Sequence, residues 1–140
     1  MNRAERTLIS LMQSGHRMTA VRREIITLLA ESDAPLNKPE IAARLRSRGL
    51  QPDRTTIYRE MNFLIANAEV ETVELGRGEL RYELKDAFHH HHLVCTKCEK
   101  VVCYPLNDEL TAVEQEISRL ADFKVTGHTL EFFGLCGQCR

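Results

Sequence analysis

Two CxxC pairs, Cys95 with Cys98 and Cys136 with Cys139, constrain the last third of this 140-residue chain more than any other feature. Two residues between cysteines let both sulfur atoms reach one ion from a single tight turn, and two such turns complete a tetrahedral shell of thiolates. A redox-active dithiol and buried apolar cysteines are the alternatives. Two pairs in one small region favour a structural Zn²⁺ that ties the segment at Cys95 to the C-terminal tail.

Four consecutive histidines, His89, His90, His91 and His92, lead into the first pair. In an extended segment alternate side chains share a face, so that His90 and His92 point one way and His89 and His91 the other. A solvated polar segment with incidental histidines is the alternative, but His-rich tracts are typical of metal binding. The tract therefore predicts metal sites beyond the cysteine site. The candidate partners elsewhere in the chain are Glu83, Cys103, Glu109, Glu114 and His128.

The composition is that of an ordinary globular protein, with 43% hydrophobic and 28% charged residues. A chain of this length buries little apolar surface, and small domains often add a metal or a partner subunit for stability. No apolar run approaches the roughly 20 residues of a membrane span, and residues 1–10 lack the apolar core of a signal peptide. We therefore expect a cytoplasmic protein without a membrane partner, in which the thiols stay reduced.

The charge is distributed unevenly, although its sum is only −1. Residues 1–59 carry 11 Lys and Arg against 6 Asp and Glu, whereas residues 60–140 carry 8 against 14. An arginine-rich first part and an acidic second part that is rich in metal ligands predict one end that meets phosphate and another that senses or assembles.

The first half of the chain predicts four helices, because apolar residues recur there at helical spacing. Start and stop signals delimit these helices. The signals are Gly15 after the first helix, Thr19 as the cap of the second, Asn37 with Glu40 as the capping box of the third, Gly49 after it, and Pro52 with Asp53 before a fourth helix from residue 55 to about 67.

A β-hairpin follows the helices, since residues 70–73 and 80–84 form alternating segments around Gly76 and Gly78. Helices followed by a two-stranded ribbon predict a winged helix-turn-helix domain over residues 1–85, with the fourth helix in the recognition position. Residues 86–88 are predicted as a hinge. Residues 89–140 are predicted as a small α/β domain with two short strands, a helix and a third strand over 123–133 that carries His128. The fold class is α+β.

The start of the fourth helix predicts contacts with DNA, because a recognition helix inserts that end into the major groove. Arg59 suits a guanine edge, Tyr58 a thymine methyl group or a phosphate, and Thr55 and Thr56 phosphate oxygens. Arg17, just before the second helix, is expected near the DNA backbone or the minor groove. A solvated charged face with a half-buried Tyr58 is the alternative, and the hairpin in the expected place favours DNA.

Five segments carry a family resemblance: residues 15–19 with Arg22, 56–59, 81–84, 89–98 and 128–139. Together they resemble the ferric uptake regulator family of bacterial metal-dependent repressors, which also includes zinc- and manganese-responsive and peroxide-sensing members. The resemblance covers nearly the whole chain. It implies a homodimer that binds a palindromic operator in double-stranded DNA, pairs through the dimerisation domain 89–140, and controls metal homeostasis.

The resemblance also implies three metal sites. Structural Zn²⁺ falls on Cys95, Cys98, Cys136 and Cys139. A regulatory divalent metal, Fe²⁺, Zn²⁺ or Mn²⁺, falls between the two domains on Glu83, His90, His92 and Cys103. An additional site falls on His89, His91 and His128, with Glu109 or Glu114 as its carboxylate.

Two positions depart from the family pattern. The loop at residues 34–37 has no histidine, although many members place a ligand there. Cys103 stands where iron- and peroxide-sensing members usually have a carboxylate, and a thiolate suits zinc or a ligand-poor iron site better than manganese. Zinc-sensing members place their regulatory cysteine elsewhere, at about Lys85.

Two other functions compete with metal sensing. A small zinc hydrolase is disfavoured because the chain has no HExxH pattern, and we expect no enzyme. A peroxide-sensing repressor of the same fold, in which a metal-bound histidine or Cys103 is oxidised, is the alternative to simple metal sensing.

Overall fold

The computed structural model describes residues 1–76, 78–85, 90–106 and 110–140. The chain divides into two compact units, residues 1–86 and 87–140, and each is described by itself. The predicted hinge at residues 86–88 and two predicted ligands, His89 and Glu109, lie outside the described residues.

The first unit contains four helices, as predicted: α1 (Arg3–Gln13), α2 (Ala20–Glu31), α3 (Lys38–Ser47) and α4 (Arg54–Ala66). The predicted caps are confirmed, since Thr19 accepts from the Arg22 backbone N–H and Asn37 forms a capping box with Glu40. Asp53 accepts from the Thr56 backbone N–H and so fixes the first residue of α4. Each side chain satisfies a backbone donor that the first helical turn leaves unpaired.

A ribbon of two antiparallel strands, β1 (Val70–Glu74) and β2 (Leu80–Leu84), completes the first unit. Sequence analysis missed one part of the ribbon. Leu36, in the loop before α3, exchanges two backbone hydrogen bonds with Tyr82 in β2, at 3.0 and 2.8 Å. This pairing anchors the ribbon to the start of α3.

The core of the first unit lies between the helices and the inner face of the ribbon. Its residues include Ile25, Ile26, Leu28, Leu29, Ile41, Leu45, Ile57, Met61, Leu64, Tyr82 and Leu84. Three apolar residues of these helices are exposed, although helical spacing of apolar residues predicted an inward-facing side for each helix: Ile9, Met12 and Ile65. Helix α1 buries only the narrow face with Thr7 and Leu11, so that Ile9 and Met12 lie on other sides of the helix.

The second unit contains β3 (His91–Cys95), β4 (Val101–Tyr104), α5 (Leu110–Ala121) and β5 (Glu131–Gly134). Its sheet has the order β4-β3-β5, with β3 antiparallel to β4 and parallel to β5. The predicted strand over residues 123–133 is wrong except at its end. The register pairs His92 with Glu131. Residues before Leu130 therefore lie beyond the first residue of β3, where no described strand is available for pairing.

None of the helices in the described parts of the chain has the length and apolar character needed to span a membrane.

Candidate metal centres and nucleic-acid interface

The four predicted zinc ligands gather at the end of the sheet in the second unit. The sulfur atoms of Cys95, Cys98, Cys136 and Cys139 all lie within 4.8 Å of one another, and those of Cys98 and Cys136 are 3.7 Å apart. Zinc–sulfur bonds of about 2.3 Å place the corners of a tetrahedron about 3.8 Å apart. The donor set and its spacing therefore fit one zinc ion.

Backbone hydrogen bonds hold the two turns that present these sulfur atoms. The Glu99 N–H donates to the Cys95 carbonyl over 2.9 Å, and the Cys139 N–H donates to the Cys136 carbonyl over 2.9 Å. The Thr96 N–H donates to the Gly134 carbonyl over 2.8 Å, which ties the first turn to the end of β5. Each pair thus lies in a closed turn, and the sheet brings the two turns together.

Hydrogen bonds also shift the pKa values of three of these thiols, in different directions. Backbone N–H groups, first that of Cys98 and then that of Cys136, lower the pKa of Cys95 to about 6. A backbone hydrogen bond from Gln138 lowers the pKa of Cys136. The contact with Cys136 is the main cause that raises the pKa of Cys139 to about 12, because Cys139 then serves as the donor. Backbone donors therefore favour the thiolate at two of the four positions, and the thiolate is the form that binds metal.

A second cluster in the second unit joins His90, His92 and Cys103, whose ligand atoms lie within 4.8 Å of one another. The rings of His90 and His92 are 5.1 Å apart, and His92 is the direct partner of Cys103 across the β3–β4 ladder. His92 is buried and the other two are half-buried. Two imidazoles and a thiol form a donor set that suits zinc or a similar transition metal.

Glu83, the fourth residue predicted for the regulatory site, belongs to the first unit. It lies in β2, where it is buried and directly opposite Glu71 of β1. Glu83 is therefore a buried carboxylate on the last strand of the first unit, seven residues before His90 in the sequence.

Three residues predicted for the additional site, His91, Glu114 and His128, belong to the described residues of the second unit. His91 is buried, with its Nδ1 atom 3.1 Å from the Leu130 carbonyl, and its ring stacks 5.6 Å from that of His128. The Nδ1 atom of His128 contacts the Glu114 carboxylate, the second of the two predicted carboxylates. Among the residues described, His91, Glu114 and His128 do not gather their ligand atoms as closely as the two clusters above.

Helix α4 has one buried face and one exposed face. Ile57, Met61 and Leu64 anchor it in the core, whereas Tyr58 is 54% exposed and Arg59 is also exposed. Hydrogen bonds from the Thr56 hydroxyl and backbone N–H lower the pKa of Asp53, and the charge of Arg59 contributes less. The predicted DNA contacts Tyr58 and Arg59 therefore lie on a helix whose opposite face is anchored in the core.

Exposure differs among the remaining predicted DNA contacts. Arg17 and Thr55 are exposed and Thr56 is half-buried, and the Thr56 backbone N–H donates to Asp53 over 2.7 Å. Thr56 therefore has a structural task at the start of α4, in addition to any contact with phosphate.

Sequence analysis missed a cluster that supports Arg17 and α4. The Arg22 guanidinium lies 3.6 Å above the ring of Phe63, donates to the Glu60 carboxylate over 2.8 Å, and donates to the Arg17 carbonyl over 2.6 Å. Both Glu60 and Phe63 belong to α4. Arg22 thus links the backbone before α2 to α4, and the sequence indicated Arg22 only as part of the family resemblance.

Lys38 was missed as well. Its ammonium lies 4.6 Å from the ring of Tyr58 and 5.7 Å from the ring of Tyr82, so that one cation contacts both the recognition helix and the ribbon. Cation–π contacts of this kind hold an aromatic ring in place. No local pattern in the sequence indicates this contact, because the three residues come from three separate elements.

This chain is similar in sequence and in structure to several known proteins. The family model described as "Ferric uptake regulator family" matches residues 13–133. The ferric uptake regulation protein of Bacillus subtilis (strain 168) is 30% identical over 143 residues, covering 99% of this chain and 95% of that protein. The peroxide-responsive repressor PerR of Staphylococcus epidermidis (strain ATCC 12228 / FDA PCI 1200) is 30% identical over 138 residues, covering 97% and 89%. The structure of the Helicobacter pylori ferric uptake regulator, described as having three functional metal-binding sites, superimposes with a TM-score of 0.75 at 25% identity, covering 98% of this chain and 91% of that one.

Proposed function

The chain belongs to the ferric uptake regulator family of metal-responsive transcriptional repressors, and we propose that it binds its operator when a divalent cation fills a ligand set of Glu83, His90, His92 and Cys103. The observation that carries this proposal is the compact cluster of His90, His92 and Cys103. In the sequence, Glu83 comes shortly before the proposed hinge at residues 86–88, and His90, His92 and Cys103 come after it. The two units of one chain thus each contribute to the proposed set.

We propose a separate role for each of the two units. Residues 1–85 bind DNA, residues 86–88 act as a hinge, and residues 89–140 bind metal and pair two copies of the chain. Proteins of this family are dimeric DNA-binding transcription factors. A two-fold symmetric dimer presents two recognition helices to a palindromic operator, one for each half-site.

In the proposed complex, α4 enters the major groove with its N-terminal end. Arg59 contacts a guanine, Tyr58 contacts a thymine methyl group or a phosphate, and Thr55 and Thr56 donate to phosphates. The exposure of Tyr58, Thr55 and Arg59 on a helix that is anchored on its other side supports these roles. Arg17 meets the backbone or the minor groove, and Arg22 holds it there through the Arg17 carbonyl.

Glu83 is assigned to the regulatory set because it is a buried carboxylate in β2, the last strand before the proposed hinge. When bound, the ion supplies a positive charge that is shared by imidazole, thiolate and carboxylate donors. Cys103 favours zinc or a ligand-poor iron site over manganese within the set Fe²⁺, Zn²⁺ and Mn²⁺.

Filling the proposed set would restrict the chain on both sides of the hinge, because ligands precede and follow it. Metal binding would then shift the population between conformations of the chain that already exist without metal. If the restricted arrangement binds the operator about 100-fold more tightly, the gain is roughly 2.7 kcal/mol, which moves a site from mostly free to mostly occupied.

The remaining metal sites are proposed as structural or auxiliary. Cys95, Cys98, Cys136 and Cys139 hold Zn²⁺, while His89, His91 and His128 hold a further ion with Glu109 or Glu114 as the carboxylate. The three sites described for the Helicobacter pylori protein support three sites here. We further propose that none of them is catalytic, and that the protein works in the cytoplasm, where thiols remain reduced.

Replacing both Glu83 and His90 by alanine tests the regulatory site. The double variant should remain folded and dimeric but lose the metal dependence of operator binding, measured by fluorescence anisotropy with and without added Zn²⁺, Fe²⁺ or Mn²⁺. Glu71→Ala, which removes the exposed carboxylate opposite Glu83, is the matched control and should keep that dependence. Unchanged metal dependence in the double variant would contradict the proposal.

Peroxide sensing is a second candidate function, favoured by Cys103 and by the 30% identity with the staphylococcal peroxide-responsive repressor. The Cys103 thiolate would attack hydrogen peroxide, forming an S–O bond, breaking the O–O bond and releasing hydroxide, so that a sulfenic acid replaces the ligand. Mass spectrometry after mild peroxide treatment distinguishes the two functions. Oxidation of Cys103, His90 or His92 with loss of DNA binding supports this candidate, and an unmodified protein that releases DNA only on chelation excludes it.

A further inference from the structure

An open groove of about 570 Å³ lies between α3 and α4 in the first unit. Its lining includes Lys38 and Arg46 from α3, Arg54 at the start of α4, and Tyr58, the exposed aromatic residue of the recognition helix. Ile57 and Pro52 contribute its apolar floor. The groove therefore adjoins the helix that is proposed to enter the major groove.

The charges in this groove all have one sign. Three of its lining residues are cations, and none is acidic. Elsewhere in the first unit arginines form ion pairs: Arg22 with Glu60, Arg48 with Glu24 and Glu31, and Arg81 with Glu40 and Glu79. In the portion of the chain that the structure describes, Lys38, Arg46 and Arg54 form no such ion pair. Among the described residues, therefore, no ion pair neutralises their positive charge.

We propose that this groove seats the sugar–phosphate backbone of double-stranded DNA beside the major groove that α4 reads, with Lys38, Arg46 and Arg54 each contacting a phosphate. The inference rests on the proposed operator binding and extends it to three residues that contact no base. Protein–DNA complexes usually combine phosphate contacts with base contacts, because the phosphate contacts set the register in which side chains reach the bases.

Lys38 and Tyr58 connect the two kinds of contact. The Lys38 ammonium lies over the Tyr58 ring, so that a phosphate bound by Lys38 is held close to the side chain that points to the bases. An enclosed small-molecule site is the less suitable interpretation, because such sites bury most of their ligand between predominantly apolar walls. This groove is open and rimmed by long cationic side chains.

Salt dependence provides the test, because each neutralised phosphate contributes about 0.9 to the slope of log affinity against log salt concentration. The variant Arg46→Gln with Arg54→Gln removes two contacts in each subunit, or four in a dimer. The slope for the metal-loaded full chain should therefore fall by about 3.6, and affinity at 0.1 M salt should fall on the order of 10³-fold. Operator and scrambled duplex should lose affinity equally, because phosphates carry no sequence information.

Two variants control this experiment. Arg48→Gln removes an arginine that is close in sequence but already paired with Glu24 and Glu31, and it should leave the slope unchanged. Arg46→Lys with Arg54→Lys keeps the charges and should retain the wild-type slope, which separates charge from folding. Circular dichroism and zinc content should match the wild type in all three.

Distinct outcomes separate this inference from the proposed function. A wild-type protein that fails to bind the operator with any of the three metals would overturn the proposed function. A wild-type protein that binds, together with a glutamine variant whose slope is unchanged or falls only as far as that of Arg48→Gln, would overturn the groove as a phosphate site. A loss confined to the operator, with the scrambled duplex unaffected, would also overturn it, because that result indicates base contacts.

Discussion

The two units of this chain are stabilised in different ways. Among the described residues, the first unit has sixteen buried hydrophobic residues, whereas the second has only Cys95. Helix α5 has no buried residue at all. The comparison teaches that a conventional core supports the DNA-binding unit, while the second unit requires metal ligands and a partner copy to be complete.

The exposed apolar side chains of the second unit indicate where that partner packs. They include Val113, Ile117, Leu120, Phe123, Phe132 and Phe133, each between 44% and 66% exposed. Along α5 the first three recur at helical spacing and form one face. Apolar patches of this kind are typical of interfaces, and in a dimeric family this face is the proposed contact between copies.

The largest expected effect tests the dependence of the second unit on zinc. Replacing Cys136 and Cys139 by serine removes half of the ligand set, and a small unit without a core should then lose its folded state. Hydrogen exchange should show loss of protection across residues 90–140 with protection retained in α2 and α4. Cys103→Ser is the control and should keep the second unit folded. Full protection of the second unit in the double serine variant would remove the basis of the comparison.

The next effect tests the core of the first unit. Met61 is fully buried, and Met61→Ala should lower the free energy of unfolding of that unit by about 2–5 kcal/mol through lost contacts and the cavity left behind. Urea denaturation measures this change, and zinc content should stay the same. Ile65→Ala, on the exposed side of the same helix, should cost less than about 1 kcal/mol. Equal costs at the two positions would contradict the described core.

A smaller effect tests the interface. Ile117→Glu places a charge in the centre of the apolar face of α5 and should weaken the dimer by at least about 30-fold, the equivalent of an interface residue worth about 2 kcal/mol. Sedimentation across a concentration series measures the dissociation constant. Gln115→Glu adds the same charge outside the apolar face and should leave the constant unchanged. A dimer that tolerates Ile117→Glu would exclude this face as the contact.

The smallest effect concerns surface charge in the first unit. Arg48→Gln should lower the free energy of unfolding by less than about 1 kcal/mol, because its ion pairs with Glu24 and Glu31 are partly exposed to solvent. Arg22→Gln should cost more, since its side chain is only 13% exposed and stacks on Phe63. Urea denaturation of both variants checks the order, and the reverse order would contradict the role given to Arg22.

Features determined by neighbouring residues could be predicted from the sequence. Thr19, Asn37 and Asp53 indicate helix starts because their side chains accept hydrogen bonds from backbone N–H groups three residues away. The CxxC spacing likewise determines that two sulfur atoms point to one place, and alternation along the histidine tract separates His91 from His90 and His92. These local rules sufficed for the four-cysteine cluster and for placing His90 and His92 on one face, whereas the grouping of Cys103 with them was implied only by the family resemblance.

Features that depend on distant parts of the chain could not be predicted in this way. The pairing of Leu36 with Tyr82 and the position of Lys38 between Tyr58 and Tyr82 each join elements about 20 to 46 residues apart, for which a single sequence carries no periodic signal. The length of β5 was overestimated for a related reason, because alternation between residues 123 and 133 shows where a strand can form but not where its neighbour begins.

Strand β3 spans only five residues, yet His91, His92 and Cys95 assign it a share in all three proposed metal sites. Inserting one amino acid between His92 and Leu93 would turn both imidazoles toward the opposite sides of the sheet relative to Cys95. This one-residue shift would disrupt all three proposed metal sites at once. Strand β3 should therefore tolerate a substitution at Leu93 far better than an insertion or a deletion.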